Sequence, residues 1–323
     1  MQRVQILAHG DFDGIVSAAL VGLWTGIDFV FFTGPESLRR NTIGVQDIVC
    51  DLPHPGVECR AWFDHHQSNI EEAEEMGWSV GEGAAYEAPS AARVIFDHLK
   101  DRVAFPSFMA DTIVATDRVD TMDYATIDDW LAETAENILN STIFLSGEDM
   151  QQARRYMWRL ITMIQEKPLY EVADNPEVIE RYQRSQEHAR RASETIERVG
   201  QLVAGGEICL LDFSEMKVAP RFSKNLAYIV HPEATAVLQI ASVVQGGRKT
   251  NDLRLSLSLN PFLQQPTTKH NVAEIMEKLE LGGGHPAAAG GKLAASSKDE
   301  RLKLKAQVIT DIERLWGKQA VAG

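Results

Sequence analysis

The sequence predicts an α/β fold, with an N-terminal doubly wound and mostly parallel sheet domain, a helical connector and a smaller C-terminal α/β domain. Short apolar runs alternate with helix-forming segments in the first third of the chain, the pattern typical of βαβ units. The segment from 126 to 200 is almost wholly helix-forming, and strand-like runs return after the glycine pair at 205–206. We therefore expect an N-terminal domain over 1–185, a connecting helix over 186–204 and a C-terminal domain over 205–323.

Four apolar runs in the N-terminal part have the length and composition of buried strands. They cover residues 4–8, 27–32, 45–50 and 59–63. A helix opened by Gly14 is expected over 15–24, and Ser90 is a suitable N-cap for a helix over 91–100. A further helix is expected at about 106–118.

The C-terminal part has strand candidates at 208–213, 235–244 and 253–259, and helix candidates at 271–281 and about 297–316. Between these two helices lie three glycines, Gly282 to Gly284, followed by His285. Glycine can adopt backbone geometries that bring N–H groups close to an anion, and a histidine there can donate a hydrogen bond. By itself, the same run is equally typical of a flexible turn.

Composition restricts the partners. The chain has 32 basic and 46 acidic residues and a net charge of −14, which would repel a long polyphosphate backbone and argues against long nucleic acid. No apolar run approaches the roughly 18–20 residues of a membrane span, and the N-terminus leads directly into a strand, so we expect a cytoplasmic protein. The three cysteines, Cys50, Cys59 and Cys209, lie in apolar strand-like sequence and are expected to be buried thiols.

Side chains that can bind metals follow three of the predicted strands directly. They are His9, Asp11 and Asp13 after the first strand, Asp51 after the third, and Asp64, His65 and His66 after the fourth. Because the carboxyl ends of parallel strands share one edge of a sheet, these side chains are expected to converge. A further acidic cluster, with Asp117 and Asp120, comes at the end of the helix predicted at about 106–118.

Mixed carboxylate and imidazole ligation suits Mn²⁺, Mg²⁺, Fe²⁺ or Zn²⁺, and a carboxylate-rich set favours the harder ions. If one carboxylate bridges, the set suffices for two ions about 3.5–4 Å apart, the arrangement used in phosphoryl transfer. Taken singly, each group has a plainer interpretation, since aspartates after a strand often only form a turn. Their recurrence at successive strand ends is what favours a shared site.

These residues resemble the motifs of the DHH phosphoesterase superfamily. The run from His9 to Gly14 is similar to the first motif of that family, Asp51 to the second, and Asp64-His65-His66 to the motif that names it. Gly282-Gly283-Gly284-His285 resembles the signature of the family's accessory C-terminal domain, which closes over the metal site and contacts substrate. The motifs occur in the family's order and span nearly the whole chain.

The resemblance implies two divalent cations, with manganese expected and magnesium as the alternative. It implies this ligand set: His9, Asp11 and Asp51 for one cation, and Asp13, bridging Asp51, His65 and a fourth-motif aspartate for the other. Many members have an Asp-Thr-Gly-x-Phe-like run as the fourth motif, whereas this chain has Asp-Thr-Met-Asp-Tyr from Asp120. Asp117 therefore competes for this role, and we favour Asp120.

The resemblance also implies hydrolysis of a phosphoester by a water that bridges the cations and attacks phosphorus in line. His66 and His285 are expected to assist this reaction at the phosphate, and Asp64 is expected to support the histidines. Further substrate contacts are expected on the C-terminal domain, namely Gly283, Gly284, His285, Arg221, Lys224 and Arg254.

A small phosphorylated substrate fits this site, namely a short oligonucleotide, a cyclic mono- or dinucleotide or a nucleoside bisphosphate. Inorganic polyphosphate or pyrophosphate is the alternative substrate, and a homodimer is the oligomer we consider. A haloacid-dehalogenase-like phosphatase would use Asp11 as its nucleophile but would leave His9, the histidine pair and the glycine run without a role. A regulatory protein that holds metal without catalysis is the remaining alternative, against which the complete ligand set argues.

Overall fold

The computed structural model describes residues 4–38, 43–145, 147–220, 222–263 and 269–322. The chain folds as two compact units. The first comprises Met1–Tyr124 and Trp130–Ser185, and the second comprises Ala125–Asp129 and Gln186–Gly323. Each unit has its own sheet and its own hydrophobic core. Within the described ranges, no helix is long and apolar enough to cross a membrane.

The sheet of the first unit has five strands, all paired in parallel. They are β1 (Ile6–Ala8), β2 (Val30–Phe32), β3 (Ile48–Cys50), β4 (Ala61–Asp64) and β5 (Ala84–Ala85). Their spatial order is β2-β1-β3-β4-β5, so the direction of winding reverses between β1 and β3. In open parallel sheets, ligands bind beside the carboxyl ends of the strands at this switch point.

Helices cover both faces of this sheet. The helices between residues 12 and 199 are α1 (Phe12–Thr25), α2 (Pro35–Leu38), α3 (Gln67–Glu75), α4 (Ala91–Leu99), α5 (Met109–Asp120), α6 (Ile127–Leu131), α7 (Ala135–Thr142), α8 (Met150–Glu166), α9 (Leu169–Ala173) and α10 (Pro176–Val199), of which α6 and α10 each contribute residues to both units. Strand side chains alternate between the faces. Ala8 and Phe63 therefore pack with the helix-rich core around α1, whereas Leu7 and Trp62 pack with Ile70 of α3 on the other face. The predicted doubly wound α/β fold is confirmed.

Helix α8 protects the outer edge of the sheet at β2. Trp158 donates from Nε1 to the Val30 carbonyl oxygen at 2.8 Å, and Arg154 donates from Nη2 to the Phe32 carbonyl oxygen at 3.1 Å. The two donors lie four residues apart, about one helical turn, and the two acceptors lie two residues apart along the strand. These bonds satisfy carbonyl groups that an uncovered edge strand would offer to another chain.

The second unit has a six-stranded mixed sheet in the order β10-β11-β9-β8-β7-β6. Its strands are β6 (Gly200–Val203), β7 (Ile208–Asp212), β8 (Ala236–Gln245), β9 (Arg248–Leu259), β10 (Gly282–His285) and β11 (Ala288–Leu293). Its helices are α11 (Ala227–Val230), α12 (Val272–Lys278) and α13 (Lys298–Ala322). One face of the sheet packs against α12 and α13, with Leu255, Ile275 and Trp316 fully or almost fully buried in this core.

Two sequence interpretations of this region are wrong in detail. The helix expected to continue to residue 204 ends at Val199, because Gly200–Val203 pairs antiparallel with β7 and satisfies its backbone there. The glycine run, whose plainer interpretation was a flexible turn, is the edge strand β10, paired with β11 along Gly282–His285. Glycine weakens a strand in isolation, so this assignment depends on the partner strand.

Candidate metal centre

The first motif forms the tight connection between β1 and α1. Asp11 is the N-cap of α1, and its Oδ1 accepts a hydrogen bond from the Gly14 N–H at 3.0 Å. The other oxygen, Oδ2, lies 2.5 Å from His9 Nδ1. A Cβ at Gly14 would come within 2.2 Å of the His9 carbonyl oxygen, so glycine is required for the close approach. The connection therefore holds the His9 and Asp11 side chains together at the end of β1.

Asp13 also caps the N-terminus of α4, a contact that the sequence did not reveal. Its carboxylate is buried and accepts hydrogen bonds from the N–H groups of Ala91 at 2.7 Å and Ala92 at 2.8 Å, at the start of α4. Its Oδ2 also lies 3.9 Å from His65 Nε2. The N-terminus of a helix favours negative charge, so the start of α4 partly offsets the cost of burying this carboxylate.

Asp51 lies between the two halves of the cluster. It follows β3 directly, is 4% exposed and adopts a left-handed backbone conformation with φ of 54°. Its Oδ2 is 3.6 Å from His9 Nδ1, and its Oδ1 is 3.6 Å from His65 Nε2. A non-glycine residue in this conformation is uncommon and marks a position where the surroundings dictate the backbone. One carboxylate thus presents an oxygen to each half of the cluster.

Asp64, the last residue of β4, is fully buried and holds the histidine pair in place. Its Oδ1 accepts hydrogen bonds from the N–H groups of His65 and His66 and lies 2.8 Å from His66 Nδ1. Its Oδ2 accepts one from Asn69 Nδ2 at 2.6 Å. The sequence interpretation missed Asn69, whose only signal was a polar side chain in the first turn of α3, five residues after Asp64.

The orientation of His65 is fixed from its far side. Its Nδ1 lies 3.0 Å from the carbonyl oxygen of Ala88, so Nδ1 carries the proton and Nε2 faces the cluster. Histidine ligands of metals are commonly oriented in this way by a hydrogen bond to the other ring nitrogen.

The two competing aspartates of α5 have different surroundings. Asp120 places Oδ2 3.4 Å from His65 Nε2 and therefore belongs to the cluster. Asp117 instead pairs with Arg93, its Oδ2 lying 2.5 Å from Nη2, and its Oδ1 accepts a hydrogen bond from Ser90 Oγ at 2.6 Å. The neighbourhood of Asp117 is therefore already neutralised by an arginine.

The ligand atoms form overlapping groups whose members lie within 4.8 Å of one another. The groups are His9 with Asp11 and Asp51, Asp13 with His65 and Asp120, and Asp51 with Asp64, His65 and His66. Exposure rises from the floor to the mouth of the cluster. The side chains of Asp13 and Asp51 are 0% and 2% exposed, and those of Asp11 and His66 are 40% and 49% exposed. The cluster is closed below and open to a substrate above.

The electrostatics of these carboxylates suit a cation. Burial raises the pKa values of Asp13 and Asp51 above their usual range, and neighbouring carboxylates act in the same direction. Burial likewise raises the pKa of Asp120 to about 7, with His65 opposing and Asp51 adding to the effect. The bond to Asp11, together with the nearby Asp51, raises the pKa of His9 to about 10. These shifts reflect the concentration of negative charge in the cluster.

Two buried atoms without a hydrogen-bond partner also indicate that the cluster suits a cation. Asp51 Oδ2 and His65 Nε2 are buried, face the cluster and have no hydrogen-bond partner in the described part of the chain. Leaving a buried polar atom unpaired costs about 1–3 kcal/mol. Carboxylate oxygens and imidazole nitrogens are ligands of Mn²⁺ and Mg²⁺, so a bound divalent cation fits these residues and would supply the missing partner.

The candidate substrate contacts of the second unit lie on and beside one face of its sheet. Arg254, Ser256 and Ser258 share a face of β9 because alternate residues of a strand point the same way. Lys224 donates from Nζ to Ser256 Oγ at 3.0 Å, and burial lowers the pKa of Lys224. On the neighbouring strand β11, Ala288 and Gly290 pair with Ser258 and Ser256. This face of the sheet therefore carries only small side chains on β11, next to the cationic side chains of Lys224 and Arg254.

The glycine motif lies at the edge of the same sheet. Gly283 and Gly284 pair with Gly290 and Ala289 of β11, and the exposed His285 accepts at Nδ1 a hydrogen bond from the Ala287 N–H at 3.1 Å. The His285 Nε2 atom is therefore the ring nitrogen that carries a proton when the imidazole is neutral. Arg221, the remaining predicted contact, lies outside the described residues.

No family model and no curated protein matches the chain. Among solved structures, the pGpG-specific phosphodiesterase PggH from Vibrio cholerae is 24% identical, and the match covers 95% of this chain and 99% of that chain with a TM-score of 0.67. RecJ from Thermus thermophilus, in complex with Mg²⁺ and with Mn²⁺, is 16% and 14% identical with TM-scores of 0.53 and 0.52. Those matches cover 98% of this chain and 50% and 52% of the RecJ chain. The chain therefore has the fold of PggH and RecJ.

Proposed function

We propose that this chain is a phosphoesterase that uses two divalent cations to hydrolyse a small nucleotide. The observation that carries the proposal is the position of Asp51, whose two oxygens face His9 on one side and His65 on the other, each at 3.6 Å. A carboxylate with ligand groups on both sides suits two neighbouring cations. It stands at the topological switch point between β1 and β3, where sheets of this kind bind their ligands.

In this proposal His9, Asp11 and Asp51 would hold one cation, and Asp13, Asp51, His65 and Asp120 would hold the other. Two bound divalent cations neutralise charge on the phosphoryl oxygens and lower the pKa of a water that attacks phosphorus. Asp64 acts as a positioning residue, because its buried carboxylate accepts hydrogen bonds that orient the histidine pair. The expected cation is manganese, with magnesium as the alternative.

His66 is the candidate for direct contact with the phosphate. Its Nδ1 is 2.8 Å from Asp64 Oδ1, and this bond raises the pKa of His66. The side chain is 49% exposed, so the other ring nitrogen can donate a hydrogen bond to a phosphoryl oxygen at the mouth of the cluster. His66 would thereby stabilise the negative charge that develops on the phosphoryl oxygens in the transition state.

The second unit would recognise the remainder of the substrate. Lys224 and Arg254 are cations next to the small residues of β11, and His285 is an exposed donor at the edge strand. We assign the same role to Gly283 and Gly284, because alternate residues of an edge strand leave their N–H groups unpaired by the sheet, and to Arg221. The structural neighbour PggH is named for its action on pGpG, which makes a short dinucleotide the first substrate to test.

The test is a hydrolysis panel with manganese present. It compares pGpG, a cyclic dinucleotide, a cyclic mononucleotide, a nucleoside bisphosphate, pyrophosphate and polyphosphate. We expect the highest kcat/KM on a nucleotide, and a loss of at least about 100-fold in Asp120→Asn because one cation loses a ligand. Asp123→Asn, at an exposed aspartate three residues away, is the matched control. Hydrolysis that needs no divalent cation would refute the proposal, and so would a failure to hydrolyse any phosphoester.

Two finer expectations belong to this proposal. Oxygen from solvent should appear in the phosphoryl group of the product without an enzyme intermediate, whereas a phosphorylated Asp11 would favour the haloacid-dehalogenase-like alternative. The expected cytoplasmic location and homodimer remain predictions. They are tested by fractionation of cells and by light scattering of the purified protein.

A further inference from the structure

Phe144 is an exposed aromatic residue beside the candidate metal centre, and no role has been assigned to it. Phe144 is 52% exposed to solvent, whereas its neighbours Ile143 and Leu145 are 2% and 5% exposed. Large apolar side chains can be exposed singly without function, so exposure alone carries no argument. The location of the ring and the rigidity of its backbone are the two observations that distinguish it.

The ring lies directly against the first motif. A Cβ built on Gly10 would lie 3.3 Å from Phe144 Cζ and 3.8 Å from Met157 Cε, so both side chains meet the backbone at this point. Gly10 stands between His9 and Asp11, which the proposed function assigns to one cation. Met157 is fully buried and backs the site from α8, whereas Phe144 remains partly open to solvent. An apolar ring surface is therefore available next to the ligands.

The backbone that carries Phe144 is fixed by Arg181 of α10. The guanidinium donates to the Thr142 carbonyl oxygen at 2.9 Å and 2.8 Å and to that of Ile143 at 3.3 Å. On the other side of Phe144 it pairs with Glu148, with Nη1 to Oε1 at 2.6 Å. Both side chains of this pair are nearly buried, at 7% and 5% exposure. The ring is thus presented by a segment that is anchored on both sides.

From this geometry we infer that Phe144 is the surface on which a nucleobase of the substrate stacks while the adjoining phosphate lies at the cations. The inference rests on the proposed function and narrows its substrate class to compounds that carry a base. Every nucleobase has a flat π face that can stack on an aromatic ring, whereas inorganic polyphosphate and pyrophosphate have none. Phe144 is thus a specificity-determining residue rather than a catalytic one.

The test uses Phe144→Ala, with Phe144→Tyr as the conservative variant and Tyr170→Ala, at another exposed aromatic on α9, as the matched control. The probes are pGpG and the same dinucleotide with abasic sugars. In wild-type protein the ratio of kcat/KM for the two probes measures the contribution of the base. We expect Phe144→Ala to reduce this ratio by about 5- to 150-fold, mainly through KM, whereas Phe144→Tyr and Tyr170→Ala retain it.

A binding readout separates this inference from the proposed function. A phosphorothioate dinucleotide that contains 2-aminopurine should lose fluorescence on binding to wild-type protein and to Phe144→Tyr, because stacking quenches this base. The quenching should be lost in Phe144→Ala. Quenching without hydrolysis of any phosphoester would refute the proposed function and leave the stacking role standing. Hydrolysis of pGpG with an unchanged ratio and unchanged quenching in Phe144→Ala would overturn the inference alone.

Discussion

Asp117 and Asp120 lie three residues apart at the end of α5, yet only Asp120 reaches the cluster. We predict that Asp120→Asn reduces the manganese bound per chain from two to one, because a ligand of the second cation is lost. We predict that Asp117→Asn retains two and lowers the free energy of unfolding by about 1–3 kcal/mol, since Arg93 loses its carboxylate. Isothermal titration calorimetry and urea unfolding measure the two effects.

The control for this pair is Asp111→Asn, an exposed aspartate in the first turn of the same helix. It should change neither the stoichiometry nor the stability beyond about 0.5 kcal/mol. If Asp117→Asn removed a cation while Asp120→Asn kept both, the assignment of Asp120 would be wrong.

His65 and Asp64 should separate activity from stability in a similar way. His65→Ala removes a candidate ligand whose Nε2 has no hydrogen-bond partner among the described residues, so activity should fall by orders of magnitude. Stability should fall only by about 0.5–1.5 kcal/mol, for the lost bond from Nδ1 to the Ala88 carbonyl oxygen. Asp64→Ala should reduce both, because it removes the shared acceptor of donors on His65, His66 and Asn69, at about 1 kcal/mol for each lost bond. Thermal unfolding and kcat/KM give the two readouts. An Asp64→Ala protein as stable as wild type would contradict the positioning role.

These residues also mark the limit of sequence reasoning. His9, Asp51 and His65 could be predicted because each follows an apolar strand, and parallel strands end at one edge. The resemblance to the fourth motif favoured Asp120 over Asp117, but both lie on the last turn of one helix, and only the fold brings Arg93 to Asp117 and His65 to Asp120. Asn69 and Phe144 could not be found, since their contacts depend on a turn and on a tertiary approach to Gly10.

At the scale of elements, the connections explain more of the site than the strands do. The α1 cap fixes Asp11, the α4 N-terminus holds Asp13, and the left-handed backbone after β3 aims Asp51. The sequence indicated the strands and the N-cap Ser90, whereas the capping of α4 by Asp13 joins residues 78 positions apart and has no local signal. The edge strand β10 also had no local sequence signal, because three successive glycines favour a turn.

Helix α10 contributes the buried Arg181, which joins α7 and the segment before α8 through Glu148. Burial disfavours the charged form of Glu148, but the hydrogen bonds and charge of Arg181 outweigh it and lower the pKa of Glu148 below its ordinary value. A carboxylate with a lowered folded-state pKa stabilises the fold fully above its unfolded pKa, and this stabilisation is lost as the pH falls through the folded-state value.

We therefore predict that Glu148→Gln lowers the free energy of unfolding by about 3 kcal/mol at pH 7, because Arg181 is left buried without its counter-charge. The difference from wild type should shrink as the pH falls below about 4.5, the ordinary glutamate value. Urea unfolding at several pH values measures this. Glu177→Gln, in the exposed pair with Arg159, is the control and should cost about 1 kcal/mol or less. A Glu148→Gln deficit independent of pH would contradict the ion-pair explanation.

At the scale of the whole molecule, the candidate ligands and the predicted substrate contacts belong to different units. The candidate metal-binding groups found in the described ranges all lie in the first unit, whereas Lys224, Arg254 and His285 lie in the second. The net charge of −14 disfavours the approach of a phosphorylated ligand. Bound divalent ions would therefore supply the positive potential at the site of the reaction. The two units should therefore respond to different ligands.

Hydrogen exchange on the full chain can resolve these responses. We predict that manganese alone slows exchange around residues 9–14, 64–66 and 117–121, because a cation relieves the repulsion among the carboxylates and ties their connections together. Residues 282–285 should be unaffected by manganese alone and should gain protection when a phosphorothioate dinucleotide is added, since N–H groups of an edge strand are open to a phosphate. Asp120→Asn should weaken the first response. No response of β10 to the dinucleotide would show that the glycine run does not contact the substrate. Protection of β10 by manganese alone would contradict the separate responses of the two units.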